Sequence, residues 1–65
     1  MCLARVKFQD GKQSEDEVMN DVAWIEPTDE GLVVTGFMGE TRIVNGVIKS
    51  IDFMKSTVVV EWRKD

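Results

Sequence analysis

The segment "ETRIVNGVIKSIDFMKSTVVVEW", residues 40–62, carries the strongest secondary-structure signal in the chain. Its β-branched and aromatic residues form three runs, 40–45, 47–53 and 57–62, with turn-forming pairs between them. Asn45-Gly46 is typical of a two-residue hairpin, because a type I′ turn needs positive φ at both central positions. The segment therefore predicts three short strands in succession, with a tight hairpin at Asn45-Gly46.

Side-chain alternation within these runs predicts which residues face a core. Val58, Val60 and Trp62 share one face of their strand, and Val59 lies on the opposite face. Ile48 and Ile51 depart from a period of two residues, and this departure predicts a bulge or a strong bend in the strand at 47–53.

Further strands are predicted toward the N-terminus, at residues 31–37 and 2–9. The second of these alternates regularly, so one face should meet the core and the other solvent. Its core face carries Cys2, Ala4, Val6 and Phe8, and its outer face carries Leu3, Arg5, Lys7 and Gln9.

The stretch "SEDEVMNDVAWIEP", residues 14–27, has features of both a helix and a strand. Ser14 followed by Glu17 resembles a capping box that could open a short helix. Residues 22–27, however, are β-branched and aromatic, and Asn20-Asp21 is unfavourable inside a helix. We therefore predict a strand that ends at Pro27.

Together these segments predict an all-β fold: one SH3-like or Sm-like barrel of five to six short antiparallel strands. A chain of 65 residues is long enough for one domain, so residues 1–65 are expected to form a single barrel. No apolar run approaches the length of a membrane span, and no signal peptide is recognisable. A single free thiol is typical of a cytoplasmic protein.

The composition argues against enzymatic catalysis and against nucleic-acid binding. The chain has no histidine, one cysteine and no glycine-rich phosphate loop, which leaves scattered carboxylates as candidate acids and bases. Its net charge of −4 opposes attraction to phosphates. Met19, Met38 and Met54 are expected to fill the core. Trp24 and Trp62 are expected in an aromatic core or a dimer contact.

Cys2 is the one candidate ligand for a soft metal ion, and two interpretations of it stay open. Cys2 shares the predicted core face of its strand with Ala4 and Val6, as a small buried residue would. Alternatively, its thiolate could chelate an ion together with the terminal amine and an amide nitrogen, that of Cys2 if Met1 is kept or that of Leu3 if Met1 is removed. This donor set is available with or without Met1 and suits planar Ni(II) or Cu(II). A two-fold dimer could bring both copies of Cys2 together, and the apolar Leu3 on the outer face favours such a contact.

Three segments together resemble the CooT family of small nickel-binding proteins associated with maturation of carbon monoxide dehydrogenase. They are "MCLARV" at the start, "VMNDVAWIE" in the middle and "GVIKSIDFMKSTVVVE" near the end. The resemblance implies an SH3-like β-barrel homodimer in which Cys2 binds Ni(II) near the dimer axis. Family members also appear as predicted RNA-binding proteins.

We therefore expect a non-enzymatic, cytoplasmic, dimeric protein that holds or delivers Ni(II) through Cys2 and N-terminal backbone nitrogen. Its partner would be carbon monoxide dehydrogenase or a maturation factor of that enzyme. The rival hypothesis is an Sm-like module that binds RNA or protein, with Cys2 as a passive core residue. Its basic strip would consist of Arg5, Lys7, Lys49, Arg63 and Lys64. A third hypothesis is an assembly factor with neither property.

Overall fold

Six β-strands account for most of the chain in the computed structural model, which describes residues 3–9 and 15–62. The strands are β1 (Ala4–Gln9), β2 (Glu15–Thr28), β3 (Gly31–Gly36), β4 (Thr41–Val44), β5 (Gly46–Asp52) and β6 (Thr57–Trp62). The described residues include no helix, and thus none that could cross a membrane. The all-β prediction is confirmed, as is the choice of strand over helix for the ambiguous segment.

The strands form one sheet in the order β4-β3-β2-β1-β6-β5, which curls into a half-barrel. Four of the strand pairs are antiparallel, as predicted, but β1 and β6 run parallel. Alternation predicts the faces of a strand, whereas the direction of a partner distant in sequence depends on how the whole sheet closes. The prediction of antiparallel strands throughout was therefore wrong at this pair.

The predicted hairpin at Asn45-Gly46 is also wrong. β4 pairs with β3 and β5 pairs with β6, so the strands on either side of this pair lie at opposite edges of the sheet. Neither residue is among those with positive φ. Gly46 is buried instead, and a Cβ there would lie 2.5 Å from the backbone oxygen of Glu61. Gly46 allows the backbones of β5 and β6 to approach closely, and it does not form a turn.

Two strands have unusual features: β5 contains a bulge, and β2 is long enough to pair with two neighbours in turn. In the β5–β6 pair, Ile48 opposes Val60 and Ser50 opposes Val59, so Lys49 is an extra residue. This confirms the predicted bulge. β2 is longer than predicted and continues through Pro27 to Thr28, pairing first with β1 and then with β3.

The core is small and almost entirely valine. Its buried members are Val6, Val22, Leu32, Val34, Val58 and Val60. Val58 and Val60 are buried while Val59 is half-buried, which confirms the predicted faces of β6. Trp62 lies at the end of this core face, 57% exposed, with its ring edge-on to Phe8.

Candidate functional site

The predicted site lies at the N-terminal end of β1. Met1 and Cys2 lie outside the described residues, so the structure leaves the metal-site prediction untested. The chain is described from Leu3, which is half-buried rather than fully exposed on the outer face. The residues around the start of β1 would therefore surround the predicted metal site.

Two neighbouring strands fix the position at which β1 begins. On one side Ala4 opposes Val22 of β2, and on the other Arg5 opposes Thr57 of β6. The backbone N–H of Arg5 also donates a hydrogen bond of 2.8 Å to the carbonyl oxygen of Ser56. The start of β1 is thus paired with β2 on one side and with β6 on the other.

Both flanks of this start contain a residue in the left-handed backbone region. Ser56 has φ of 51° and precedes β6, and Asp21 has φ of 54° within β2. They are the non-glycine residues with positive φ in the described part of the chain. Such conformations cost about 1–3 kcal/mol each and concentrate at functional sites. The geometry therefore marks the start of β1 as a candidate site.

The turns next to this site expose large apolar side chains, which we call the apolar rim: Phe37 and Met38 between β3 and β4, and Phe53 and Met54 between β5 and β6. Their exposed fractions are 64%, 82%, 86% and 98%. The strand register places both turns at the end of the sheet where β1 begins. Exposed apolar groups at this density favour a contact surface.

Hydrogen bonds hold both turns in place. The N–H of Phe37 donates to the carbonyl oxygen of Asp21 at 2.8 Å, which ties one turn to the bend in β2. Asp52 Oδ1 accepts from the N–H groups of Met54 and Lys55 at 3.0 and 3.1 Å. The rim side chains are therefore presented by hydrogen-bonded backbone.

Several residues singled out in the sequence lie elsewhere than expected. Met19 packs against the core as predicted, but Met38 and Met54 are exposed in turns, where no core is available to cover them. Trp24 is 63% exposed and is not part of the core, so of the two positions predicted for it the dimer contact stays a prediction. The neighbouring Gly39 and the pair Lys55-Ser56 were the signal that could have placed these methionines in turns.

Other chemistry is sparse in the described residues. No three carboxylates among them converge in a way that could hold a metal ion. Of the predicted basic strip, Lys49 donates to Gln9 Oε1 at 2.7 Å, and Lys7 lies two residues along β1 from Arg5. Arg63 and Lys64 lie outside the described residues, so the strip stays a prediction.

Comparison with known proteins gives a consistent result. A family model described as CO dehydrogenase accessory protein CooT matches residues 1–61. The fold is similar to the crystal structure of a CooT candidate from Carboxydothermus hydrogenoformans, with a TM-score of 0.90 and 22% sequence identity. That match covers 97% of this chain and 100% of the other. No curated protein matches the sequence. At this identity the structural match shows the fold alone.

Proposed function

Because the chain belongs to the CooT family of CO dehydrogenase accessory proteins, we propose that it is a cytoplasmic, non-enzymatic protein that binds Ni(II) as cargo. Cys2 thiolate and N-terminal backbone nitrogen would hold the ion. The protein would then hold or deliver nickel for the maturation of carbon monoxide dehydrogenase. The family membership confirms the resemblance noted in the sequence, and the nickel chemistry is our proposal.

The observation that carries the proposal is the anchoring of the start of β1. Ala4 and Arg5 are held by β2 and β6, and Cys2 lies two residues before Ala4 in the sequence. An amine, an amide nitrogen and a thiolate along consecutive residues form five-membered chelate rings, which suit a planar d⁸ ion. A fixed strand start lowers the entropy lost when such a ligand set closes on an ion.

The apolar rim supports a dimer at the same end of the molecule. Two copies related by a two-fold axis would present identical surfaces to each other. Contact through the rim would cover the exposed Phe53 and Met54 side chains and bring both copies of Cys2 toward one axis. The second thiolate of a sulfur-rich planar site would then come from the partner chain.

Metal titration tests the proposed ligand. Metal-free protein is titrated with Ni(II) while thiolate-to-nickel charge-transfer absorbance is followed. We expect the band to disappear and the affinity to fall in Cys2→Ser, with the circular dichroism spectrum unchanged. The terminal amine and the Cys2 thiol both lose protons when the ion binds, so the nickel affinity of the wild type should increase as pH rises.

Met38→Leu and Met54→Leu are the matched controls, because each removes an exposed sulfur and keeps the apolar volume. Both should bind nickel as the wild type does. An unchanged band in Cys2→Ser, or a lost band in either methionine variant, would contradict the assignment of Cys2.

Delivery to the client is tested separately. Nickel-free carbon monoxide dehydrogenase is incubated with the nickel-loaded protein, or with the same amount of nickel and the Cys2→Ser variant. We expect faster recovery of enzyme activity with the wild type. Equal recovery in both mixtures would contradict a role in nickel delivery.

A further inference from the structure

A groove lies at the open side of the half-barrel, at a distance from the start of β1. One wall is residues 42–45, at the end of β4, and the other is formed by Phe8, Val18 and Trp62. The volume of this open groove is about 340 Å³. We call it the β4-edge groove.

The groove follows the edge of β4 rather than one of its faces. Successive side chains of a strand point to opposite faces, yet the groove contacts three consecutive residues of β4, 42–44, and Asn45 after them. A space that touches both faces in this way runs along the strand edge. β4 pairs with β3 on one side and, among the described strands, with none on the other. The groove therefore adjoins backbone N–H and C=O groups that have no strand partner.

The wall opposite β4 is aromatic and apolar. Phe8 and Trp62 are in edge-to-face contact, with ring centroids 4.4 Å apart and an angle of 78° between the planes. Val18 lies beside them and packs against the core. This wall could receive an apolar side chain.

Arg42 is the one charged residue among the described residues that line the groove. Its Nη1 donates a hydrogen bond of 2.8 Å to the carbonyl oxygen of Val18. Because this acceptor is neutral, the bond orients the guanidinium without balancing its charge. An arginine offers five N–H donors, so further donors are available to a carboxylate.

We propose that the β4-edge groove binds an extended segment of a partner protein, which adds to β4 as a further strand. An apolar side chain of that segment would contact Phe8 and Trp62, and an acidic side chain would pair with Arg42. Strand addition obtains affinity from main-chain hydrogen bonds and specificity from alternate side chains. The proposal is independent of nickel binding.

The shape of the groove favours a peptide over a small molecule. Small-molecule sites bury most of their ligand, whereas Arg42, Ile43, Asn45 and Trp62 on the two walls are all exposed. An open groove beside a free strand edge suits a chain that lies along it. The positive charge of Arg42, in a protein of net charge −4, selects for an acidic residue in that chain.

Titration with designed peptides tests the proposal. The probe is acetyl-Thr-Leu-Thr-Asp-Thr-Val-amide, in which Leu and Asp share one face of an extended chain. It is added to ¹⁵N-labelled full-length protein up to about 1 mM. We expect saturable shifts at the backbone amides of residues 42–45 and at the indole of Trp62. Shifts confined to other residues, or none that saturate, would overturn the proposal.

Charge reversal provides the matched comparison. Arg42→Glu should weaken binding of the Asp peptide by about tenfold or more. It should also strengthen binding of the same peptide with Lys in place of Asp. Lys55→Glu makes the same change in charge in the turn between β5 and β6, at the end of the sheet where β1 begins, and should leave both affinities unchanged. Equal effects of the two substitutions would refute a specific pairing with Arg42.

Two further measurements separate strand addition from other occupants. A peptide N-methylated at all six residues has no main-chain N–H donor on either edge of the extended chain, and it should not bind. Equal binding of this peptide would overturn strand addition. Sedimentation measures whether the protein self-associates, with and without the unmodified peptide. We expect that adding the peptide does not dissociate any oligomer of the protein. If the peptide does dissociate a dimer, the occupant is a second copy of the chain, and the proposed partner is wrong.

Discussion

The core and the apolar rim use hydrophobic residues in opposite ways. The three side chains that are essentially fully buried, Val6, Val34 and Val60, are all valine. The rim instead carries phenylalanine and methionine in turns that leave most of each side chain exposed. The phenylalanine and methionine side chains of the rim therefore contribute little to the protein's own core.

The proposed dimer would therefore use a set of residues separate from the set that stabilises the fold. A chain of this length buries barely enough apolar surface to offset its conformational entropy, and a valine core adds modestly to that total. Exposed phenylalanine and methionine gain stability only when another surface covers them. The comparison thus predicts that core substitutions reduce folding stability and that rim substitutions reduce association.

The largest expected effect is the difference in unfolding free energy between substitutions at a buried glycine, Gly31, and at an exposed turn glycine, Gly39. Gly31 has φ of 134°, and a Cβ there would lie 2.5 Å from the backbone oxygen of Val44. Gly31→Ala combines backbone strain with this overlap and should cost about 3 kcal/mol of unfolding free energy. Gly39 has φ of 94° but nothing within 4 Å of the added Cβ, so Gly39→Ala should cost about 1 kcal/mol.

Urea denaturation of both glycine variants, at a protein concentration held constant, measures this difference. Equal losses would mean that backbone strain alone sets the cost, and that the close packing at Gly31 contributes nothing.

A smaller effect is expected on the two faces of β6. Val60→Ala removes two fully buried methyl groups and should destabilise the fold by about 2 kcal/mol. Val59→Ala makes the same chemical change on the half-buried outer face and should cost less than about 1 kcal/mol. Thermal and urea unfolding test this pair. Similar losses from both substitutions would show that the two faces of β6 are not distinguished by packing.

The smallest effect on folding is expected at the rim. The double substitution Phe53→Ser and Met54→Ser should change the unfolding free energy of the monomer by about 0.5 kcal/mol or less, because both side chains are exposed. It should weaken dimerisation by about tenfold or more. Ile43→Ser, at an exposed position on β4, is the control that should leave the dimer intact. Sedimentation equilibrium that shows the same dimer affinity in all three proteins would contradict the role of the rim.

Local patterning predicted what depends on local geometry. The alternation in β1 and β6 identified Val6, Val58 and Val60 as core residues, and the spacing of Ile48 and Ile51 revealed the bulge at Lys49. Each of these depends on the side-chain period of one strand.

The errors concern relations between distant segments. Asn45-Gly46 fits a hairpin turn by composition, but the adjoining strands pair with other neighbours, and Gly46 is required where two backbones approach. The parallel pairing of β1 with β6 likewise follows from closure of the sheet. Met38 and Met54 were assigned to the core from residue type alone, which does not distinguish a core position from an exposed turn.

The most direct test of the central claim is the nickel stoichiometry of the assembled protein by native mass spectrometry. Our account predicts a dimer that carries one Ni(II), and a Cys2→Ser dimer that carries none. A monomer that binds one Ni(II) by itself, or a dimer that retains nickel without Cys2, would contradict it.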